Sequence, residues 1–383
     1  MLVSGRDSVP KQGTLNNRQS LLLGGTAIHG IVYSHAVTFG HQIRSPVPIP
    51  RPDLAWHDGS MVTFIAPAAN RQVTMHKRVK LFSTTGFASV LAALLLATPA
   101  TSQSVTSKVM LLTGQASIYH DWQKSSELIE RILRQTGLFD VDVVSTPSES
   151  ESMAGFSPQW SDYDAVVLDY DGEEWPEATR TAFADYLASG GGLVLVHAAD
   201  NAFPDWAEFQ AMAGVGGWRG RDESAGPMLR WHDGEQTLVQ GQGTALHPPQ
   251  HDFMVLTRAP EHPIMRGLPP AWMQAHDELY SQLRGPANNV TVLATAKADS
   301  SMRGATGEHE PMLLVIQYGS GRVFHTTLGH VGPQDELPVA AMSSVGFIVT
   351  LQRGTEWVAT NTVTQAVPED FPGPNSPSLR NLR

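Results

Sequence analysis

The sequence predicts an α/β fold: a doubly wound, mostly parallel sheet covered by helices on both faces, in three αβα layers. Three observations predict it. The stretch Gly190-Gly191-Gly192-Leu193-Val194-Leu195-Val196-His197-Ala198-Ala199-Asp200 carries four consecutive apolar residues after a glycine triplet. That run is too short for a helix and suits a strand buried on both faces. Short apolar runs of this kind alternate with segments of helical periodicity, at the spacing of βαβ units with right-handed crossovers. Ligands of such sheets bind beyond the carboxyl ends of the strands, which is where His197 falls.

In chain order, Lys108-Val109-Met110-Leu111-Leu112-Thr113 is the first predicted strand. Asp121 is a suitable N-cap for the helix that follows, with Lys124 at the third position, so no capping box forms. Leu128, Ile129, Ile132 and Leu133 share one helical face, and Gly137 ends it. Val141 to Val144 and Tyr163 to Leu168 are the next strands. Pro176 stands where a second helix begins, with Phe183, Tyr186 and Leu187 on its apolar face and the glycine triplet as its stop. Beyond Asp200 the pattern loosens. A short helix is expected over Trp206 to Met212, then a glycine-rich loop from Gly214 to Gly220. Val255-Leu256 and Val290 to Ala294 read as strands. Met312 to Gln317 and Arg322 to Thr327 read as a hairpin turned at Tyr318-Gly319-Ser320-Gly321. A final helix is expected from about Val339 to Thr360, then a loose proline- and serine-rich tail over 368–383.

The first hundred residues differ in character. Residues 1–74 show no sustained period and read as disordered, or as non-native sequence upstream of the true start. Residues 75–100 join a basic start (Met75-His76-Lys77-Arg78) to a short apolar centre and a small-residue end, the pattern of a secretory signal peptide. The alternative, a membrane anchor, needs about 20 apolar residues, more than the uninterrupted centre offers. The expectation is an exported protein, periplasmic or extracellular, with no membrane anchor after cleavage, whose α/β domain spans 101–367. The whole chain of 383 residues has a formal charge of −11. Nine of its 26 Lys+Arg and three of its 37 Asp+Glu precede residue 101, so the remainder carries 17 against 34 and a net charge of −17. Such an acidic domain is a poor partner for nucleic acid. The absence of cysteine excludes disulfides, thiolate metal sites and a cysteine nucleophile.

Polar residues gather at one edge of the predicted sheet. His120-Asp121 follows the first strand, Asp169 and Asp171 the third, and His197 and Asp200 the fourth. Later segments add His247, Asp277-Glu278-Leu279-Tyr280, Glu308-His309-Glu310 and His330. Histidines and carboxylates together suit an acid/base pair or a nitrogen/oxygen site for a divalent metal such as zinc. Their spacing matches no compact metal motif. Each histidine also has a plain reading as a satisfied, half-buried polar group, above all His232, His262 and His276. Asp277-Glu278 can simply open a helix, where carboxylates are favoured. The turn after the central strand often holds a nucleophile; here it is His197-Ala198-Ala199, where nothing can attack. The glycine triplet precedes a strand, so it is no dinucleotide-binding loop.

Taken in order, His120-Asp121, Gly190 to Ala199, His247-Pro248, Glu261 to Pro269, Asp277 to Tyr280, and Tyr318 to Phe324 through Gly329-His330 resemble the ThuA-like, trehalose-utilisation family. The resemblance runs from about Lys108 to Asn361. It implies a sheet similar to flavodoxin-like and class I glutamine amidotransferase-like folds, without the latter's cysteine. It also implies a carbohydrate role, in a family associated with disaccharides and their 3-keto forms. Two segments depart from the pattern: the glycine-rich stretch from Asn201 to Arg230, and Glu308-His309-Glu310-Pro311, where a residue separates the His from the Pro. On this basis His120, His197, Asp277, Glu278 and His330 are the candidate catalytic residues. Asp121, Asp169, His247, Tyr280 and Trp218 are the candidate substrate-binding residues, with Trp122 and Trp231 as further sugar-stacking faces. The substrate expected is a small sugar: a disaccharide, a glycoside or its 3-keto derivative. The alternative is a carbohydrate-binding or scaffold domain without catalysis. The sequence specifies neither cofactor nor oligomeric state.

Overall fold

The computed structural model describes residues 106–382; the segments read as upstream sequence (1–74) and as a signal peptide (75–100) lie outside the described residues. The elements run β1 (Ser107–Thr113), α1 (Trp122–Arg134), β2 (Phe139–Ser145), β3 (Ala165–Leu168), α2 (Glu177–Ala188), β4 (Gly192–Val196), α3 (Ala207–Ala213), β5 (Met228–His232), β6 (Glu235–Val239), β7 (His251–Thr257), β8 (Ala271–Asp277), β9 (Val290–Ala296), β10 (Glu310–Tyr318), β11 (Gly321–Thr326), α4 (Ala340–Ser343) and α5 (Val345–Thr360). Nine strands form one sheet in the order β2-β1-β3-β4-β11-β10-β9-β7-β8. The neighbours from β2 to β11 are parallel. From β11 onward every neighbour is antiparallel. The sheet is therefore mixed, where the sequence suggested a mostly parallel one. Short connections such as the turn after Tyr318 cannot support a parallel crossover, which needs a dozen or more residues.

Strand alternation decides which face each residue enters. Val109 and Leu111 of β1 join Val194 and Val196 of β4 in a core built with α1 and α5, including Ile129, Leu133 and Phe347. Met110 and Leu112 join Leu193 and Leu195 in a second core with Phe183 and Leu187 of α2 and Phe209 of α3. Each fully buried aliphatic side chain contributes about 1.5–3 kcal/mol. Asp121 caps α1 as its sequence suggests, its carboxylate accepting from the Lys124 N–H at 3.1 Å. Gly190 has φ +119° and follows α2 directly. At Gly192 a side chain would meet the Val358 carbonyl carbon at 2.9 Å, so glycine lets α5 lie close over the start of β4.

Several elements differ from expectation. The hairpin β5–β6 is not foreshadowed, because its outer strand Glu235–Val239 is polar and mostly exposed. Asp277 ends a strand rather than opening a helix: β8 pairs with β7 through Trp272, Met273 and Gln274. The last helix is broken at Ser344, whose ψ of 124° is extended, into α4 and α5. The segment after Pro368, expected to be loose, is tied to the body. Its Gly373 carbonyl accepts from Met273 on the edge strand β8 at 3.0 Å, Ser378 accepts from Val345 at 2.9 Å, and Leu382 is buried. An edge strand leaves backbone groups unpaired, and composition does not reveal that the tail supplies their partners. Among the described residues no helix is long and apolar enough to cross a membrane.

Candidate functional site

Four segments deliver side chains to one point. His120 lies between β1 and the cap of α1, and the adjacent Asp121 N–H donates to the Val331 carbonyl at 2.9 Å, which ties this loop to the one after β11. His197 leaves β4 with φ +46°, in the left-handed region that costs a non-glycine residue energy. Glu278 follows β8 and His330 follows β11. The imidazoles of His120, His197 and His330 form a nearly equilateral triangle, with centroids 5.2, 5.3 and 5.2 Å apart and ring planes steeply inclined to one another. Glu278 closes it: its Oε2 lies 3.2 Å from His330 Nδ1 and 3.7 Å from His197 Nε2. The Tyr280 hydroxyl is 2.8 Å from His197 Nε2 and 3.4 Å from His120 Nε2.

The cluster lies at the floor of a cavity of about 870 Å³. His120, Glu278, Tyr280, His330, His247 and Trp218 line it, whereas His197 sits behind them, 4 % exposed. His247 Nε2 faces Glu278 Oε1 at 3.6 Å. Trp218 stands edge-on to Tyr280 with centroids 4.5 Å apart. The mouth carries Ile118 and Tyr119, both strongly exposed.

Burial sets the protonation pattern. It pushes the His120 pKa down to about 3, aided by the neighbouring His197 and His330, so this ring is neutral. Burial disfavours charge on Glu278 too, but hydrogen bonds from His197 and His330 outweigh it and hold its carboxyl well below the usual range. For His197, burial opposes a proton, and the Glu278 carboxylate overcomes it and raises the pKa. The Tyr280 phenol is buried beside carboxylates and stays protonated. The cluster can hold a shared proton, or a cation: one donor atom from each of His120, His197, Glu278 and His330 lies within 4.8 Å of the others.

Besides His197, which backs the cluster, three sequence-predicted site residues do not reach the cavity. Asp277 is fully buried and saturated. Its Oδ1 accepts from the N–H groups of Glu278 and His330 at 2.9 and 3.1 Å, and its Oδ2 from the Gly329 N–H and Gln274 Nε2 at 2.9 Å each. It clips the His330 loop to β8 instead of touching a ligand. Asp121 is spent on the α1 cap and an ion pair with Lys124 at 3.0 Å. Asp169 accepts from the hydroxyls of Ser125 and Ser126 at 2.7 and 2.8 Å, fastening α1 to the end of β3, and burial pushes its pKa up to about 6. Trp122 and Trp231 also lie off the cavity, the latter under the Arg258 guanidinium at 5.1 Å. Asn201, Arg219 and Asp335 also line it and were not expected there, while Asp171, expected at this sheet edge but not named as a site residue, lines it too. Asp171 pairs with Arg219 at 2.7 Å. Its place two residues beyond Asp169 at the same strand end was a usable signal. Arg219 had only its neighbour Trp218, and Asp335 had none.

A family model and a solved structure of high identity point to one family. The ThuA family model, described as trehalose utilisation, matches residues 108–358. The crystal structure of a ThuA-like protein from Parabacteroides merdae ATCC 43184 is 43% identical, covering 72% of this chain and 98% of that one, with a TM-score of 0.69. A ThuA-like protein from Bacteroides uniformis ATCC 8492 is 16% identical over 70% of this chain and 96% of that one, with a TM-score of 0.46. No curated protein matches the chain. With a family model matched over most of its length and a solved relative of high identity, the chain belongs to the ThuA, or trehalose-utilisation, family.

Proposed function

We propose that this protein is an exported enzyme that processes a disaccharide, a glycoside or its 3-keto derivative by acid/base chemistry. The observation that carries the proposal is a cavity large enough for such a sugar, whose floor is the His120–His197–Glu278–His330 cluster. Its walls match a sugar's two kinds of surface. Trp218 and the exposed Tyr119 offer flat apolar faces for C–H groups. Asn201 and the Asp171–Arg219 pair offer donors and acceptors for hydroxyls. A 3-keto group acidifies the hydrogen on the neighbouring carbon. In the proposed reaction a histidine or the carboxylate of the cluster takes this proton as the C–H bond breaks, the electron pair moves onto the keto oxygen, and its return breaks the bond from the next carbon to the glycosidic oxygen. The half-exposed His247 carries the proton between the cluster and solvent or the departing oxygen. The Tyr280 hydroxyl, which stays protonated, is a donor for developing negative charge. A domain that only bound sugar would have no use for a buried, mutually polarised set of imidazoles and a carboxylate.

The doubly wound, three-layer reading belongs to the same proposal, supported by the two cores on opposite faces of the sheet. Export rests on the basic–apolar–small pattern of residues 75–100. N-terminal sequencing of the exported protein tests it, and a secreted chain retaining Met1 would overturn it. The function is tested by incubating the protein with disaccharides and their 3-keto forms and following products by mass spectrometry. Turnover lost in His330→Ala, with the circular dichroism spectrum kept, supports the proposal. Sugar binding without turnover in the unaltered protein would replace it with the binding-domain alternative.

A further inference from the structure

We infer that His120, His197, His330 and Glu278 form a binding site for one divalent transition-metal cation. This deepens the proposed function and rests on the same cavity.

The donor geometry fits a single ion. A cation held at about 2.0–2.1 Å by four tetrahedral nitrogen and oxygen ligands spaces them about 3.3 Å apart. His197 Nε2 and His330 Nδ1 are 3.2 Å apart, His330 Nδ1 and Glu278 Oε2 3.2 Å, and His197 Nε2 and Glu278 Oε2 3.7 Å. His120 completes the triangle of rings at 5.2 and 5.3 Å from the other two. Three imidazoles and a carboxylate thus share one face of the cavity floor, open on the side where a substrate would enter.

The outer ring atoms carry the inference further. Imidazoles that bind metal present one nitrogen to the ion and fix the other on an oxygen. Two of the three do so here, and the third faces a carboxylate at longer range. His197 Nδ1 lies 2.7 Å from the Thr327 carbonyl, which can only accept, so this nitrogen is the donor and Nε2 is the one left to face a cation. His120 Nδ1 lies 3.0 Å from Ser117 Oγ. His330 Nε2 faces Asp335 Oδ2 at 4.0 Å. The consequence is a floor on which nitrogens of two rings and a carboxylate oxygen converge within 4 Å. A cation takes the place of the protons these atoms share, and burial strengthens its attraction for Glu278. The set holds nitrogen and oxygen but no sulfur, so zinc, cobalt, nickel, iron and manganese all suit it, and supply decides among them. Bound there, the ion polarises a sugar carbonyl or hydroxyl above it, while His247, outside the ligand set, remains free to move protons.

The test uses the full chain, stripped with a chelator and titrated with Zn²⁺, Mn²⁺ and Co²⁺ by calorimetry, with the visible spectrum recorded for Co²⁺. The expected result is one equivalent of at least one cation per chain, a raised melting temperature, and absorption bands of nitrogen/oxygen-ligated cobalt. His120→Ala abolishes stoichiometric uptake. Ser117→Ala, which removes only the oxygen behind His120, weakens binding about 10–100-fold and carries the test if the first variant does not fold. Substoichiometric uptake of all three cations by the stripped protein overturns the inference, as does unchanged affinity in both variants. Sugar turnover by metal-free protein that takes up no cation discards the metal and keeps the sugar reading. A filled site with no action on any glycoside keeps the metal and discards the sugar reading.

Discussion

Asp277 gives the sharpest prediction, because its role follows from hydrogen-bond bookkeeping alone. Its two oxygens accept four N–H bonds, three of them from the backbone of Glu278, Gly329 and His330. Asp277→Asn keeps the shape and replaces one acceptor with a donor. The least costly placement turns the new NH₂ toward Gly329 and Gln274, whose Oε1 has no partner and can rotate to meet it. That rotation gives up the 3.2 Å bond from Gln274 to the Ala341 carbonyl. One buried backbone N–H is then stranded, at about 1–3 kcal/mol. Asp277→Ala strands three, so its cost is at least about 3 kcal/mol by the same rule. Urea denaturation followed by tryptophan fluorescence measures both. Either variant falling within about 0.5 kcal/mol of the unaltered protein, the usual range of a surface substitution, would refute the reasoning. So would an alanine variant more stable than the asparagine one. Both variants should also lose turnover, since the His330 N–H depends on this carboxylate for its place.

Three further outcomes are expected. Trp218→Ala should raise KM for the sugar about tenfold and leave kcat nearly unchanged, because an aromatic contact contributes about 0.5–1.5 kcal/mol beyond its buried area; an unchanged KM in steady-state kinetics removes Trp218 from the substrate wall. Gly354→Ala in α5 should lower the melting temperature: alanine is favoured in a helix by about 1 kcal/mol, but its methyl runs into the Phe324 ring, and overpacking costs about 1–3 kcal/mol. A rise would show that β11 yields to the helix. Burial, with the Arg266 charge beside it, pushes the His262 pKa down from 6.5 to about 4. The unfolded chain therefore binds a proton that the folded one refuses, and stability is lost as pH falls from about 6.5 toward 4. His262→Asn keeps an acceptor for the Ile264 N–H and should flatten thermal stability between pH 7 and 5; an identical slope in the variant counts against the assignment.

The parallel half of the sheet was legible because its strands are apolar on both sides: β1, β3 and β4 read as uninterrupted runs. The antiparallel half was harder. In β8 the order Gln274-Ala275-His276-Asp277 hides a strand, because the buried Gln274 and Asp277 are polar residues that pair with each other, and Gln274 also with α4. For the site, strand ends located the right edge but not the direction in which each side chain points. Asp169 and His197 follow neighbouring strands, yet one turns to the serines of α1 and the other to Tyr280. Direction depends on local φ and on the competing donors nearby, neither of which is written in spacing. The departure of His197 into the left-handed region is a backbone choice that no periodicity reveals.

The triangle of imidazoles also has a kinetic meaning. Its members and the tyrosine beside them are far apart along the chain: 133 residues separate His197 from His330, and 160 separate His120 from Tyr280. Each such contact needs a long loop to close before it returns any stabilisation. The fourth donor, Glu278 after β8, joins the three imidazoles only once the parallel strands are linked through β11 to the antiparallel ones, so a partly folded chain lacks the complete set. A ligand held there stabilises the completed sheet and nothing short of it. Hydrogen exchange should then slow together in β1 and in β8, strands at opposite sides of the sheet, when the pocket fills. The site is a clasp as well as a reaction vessel.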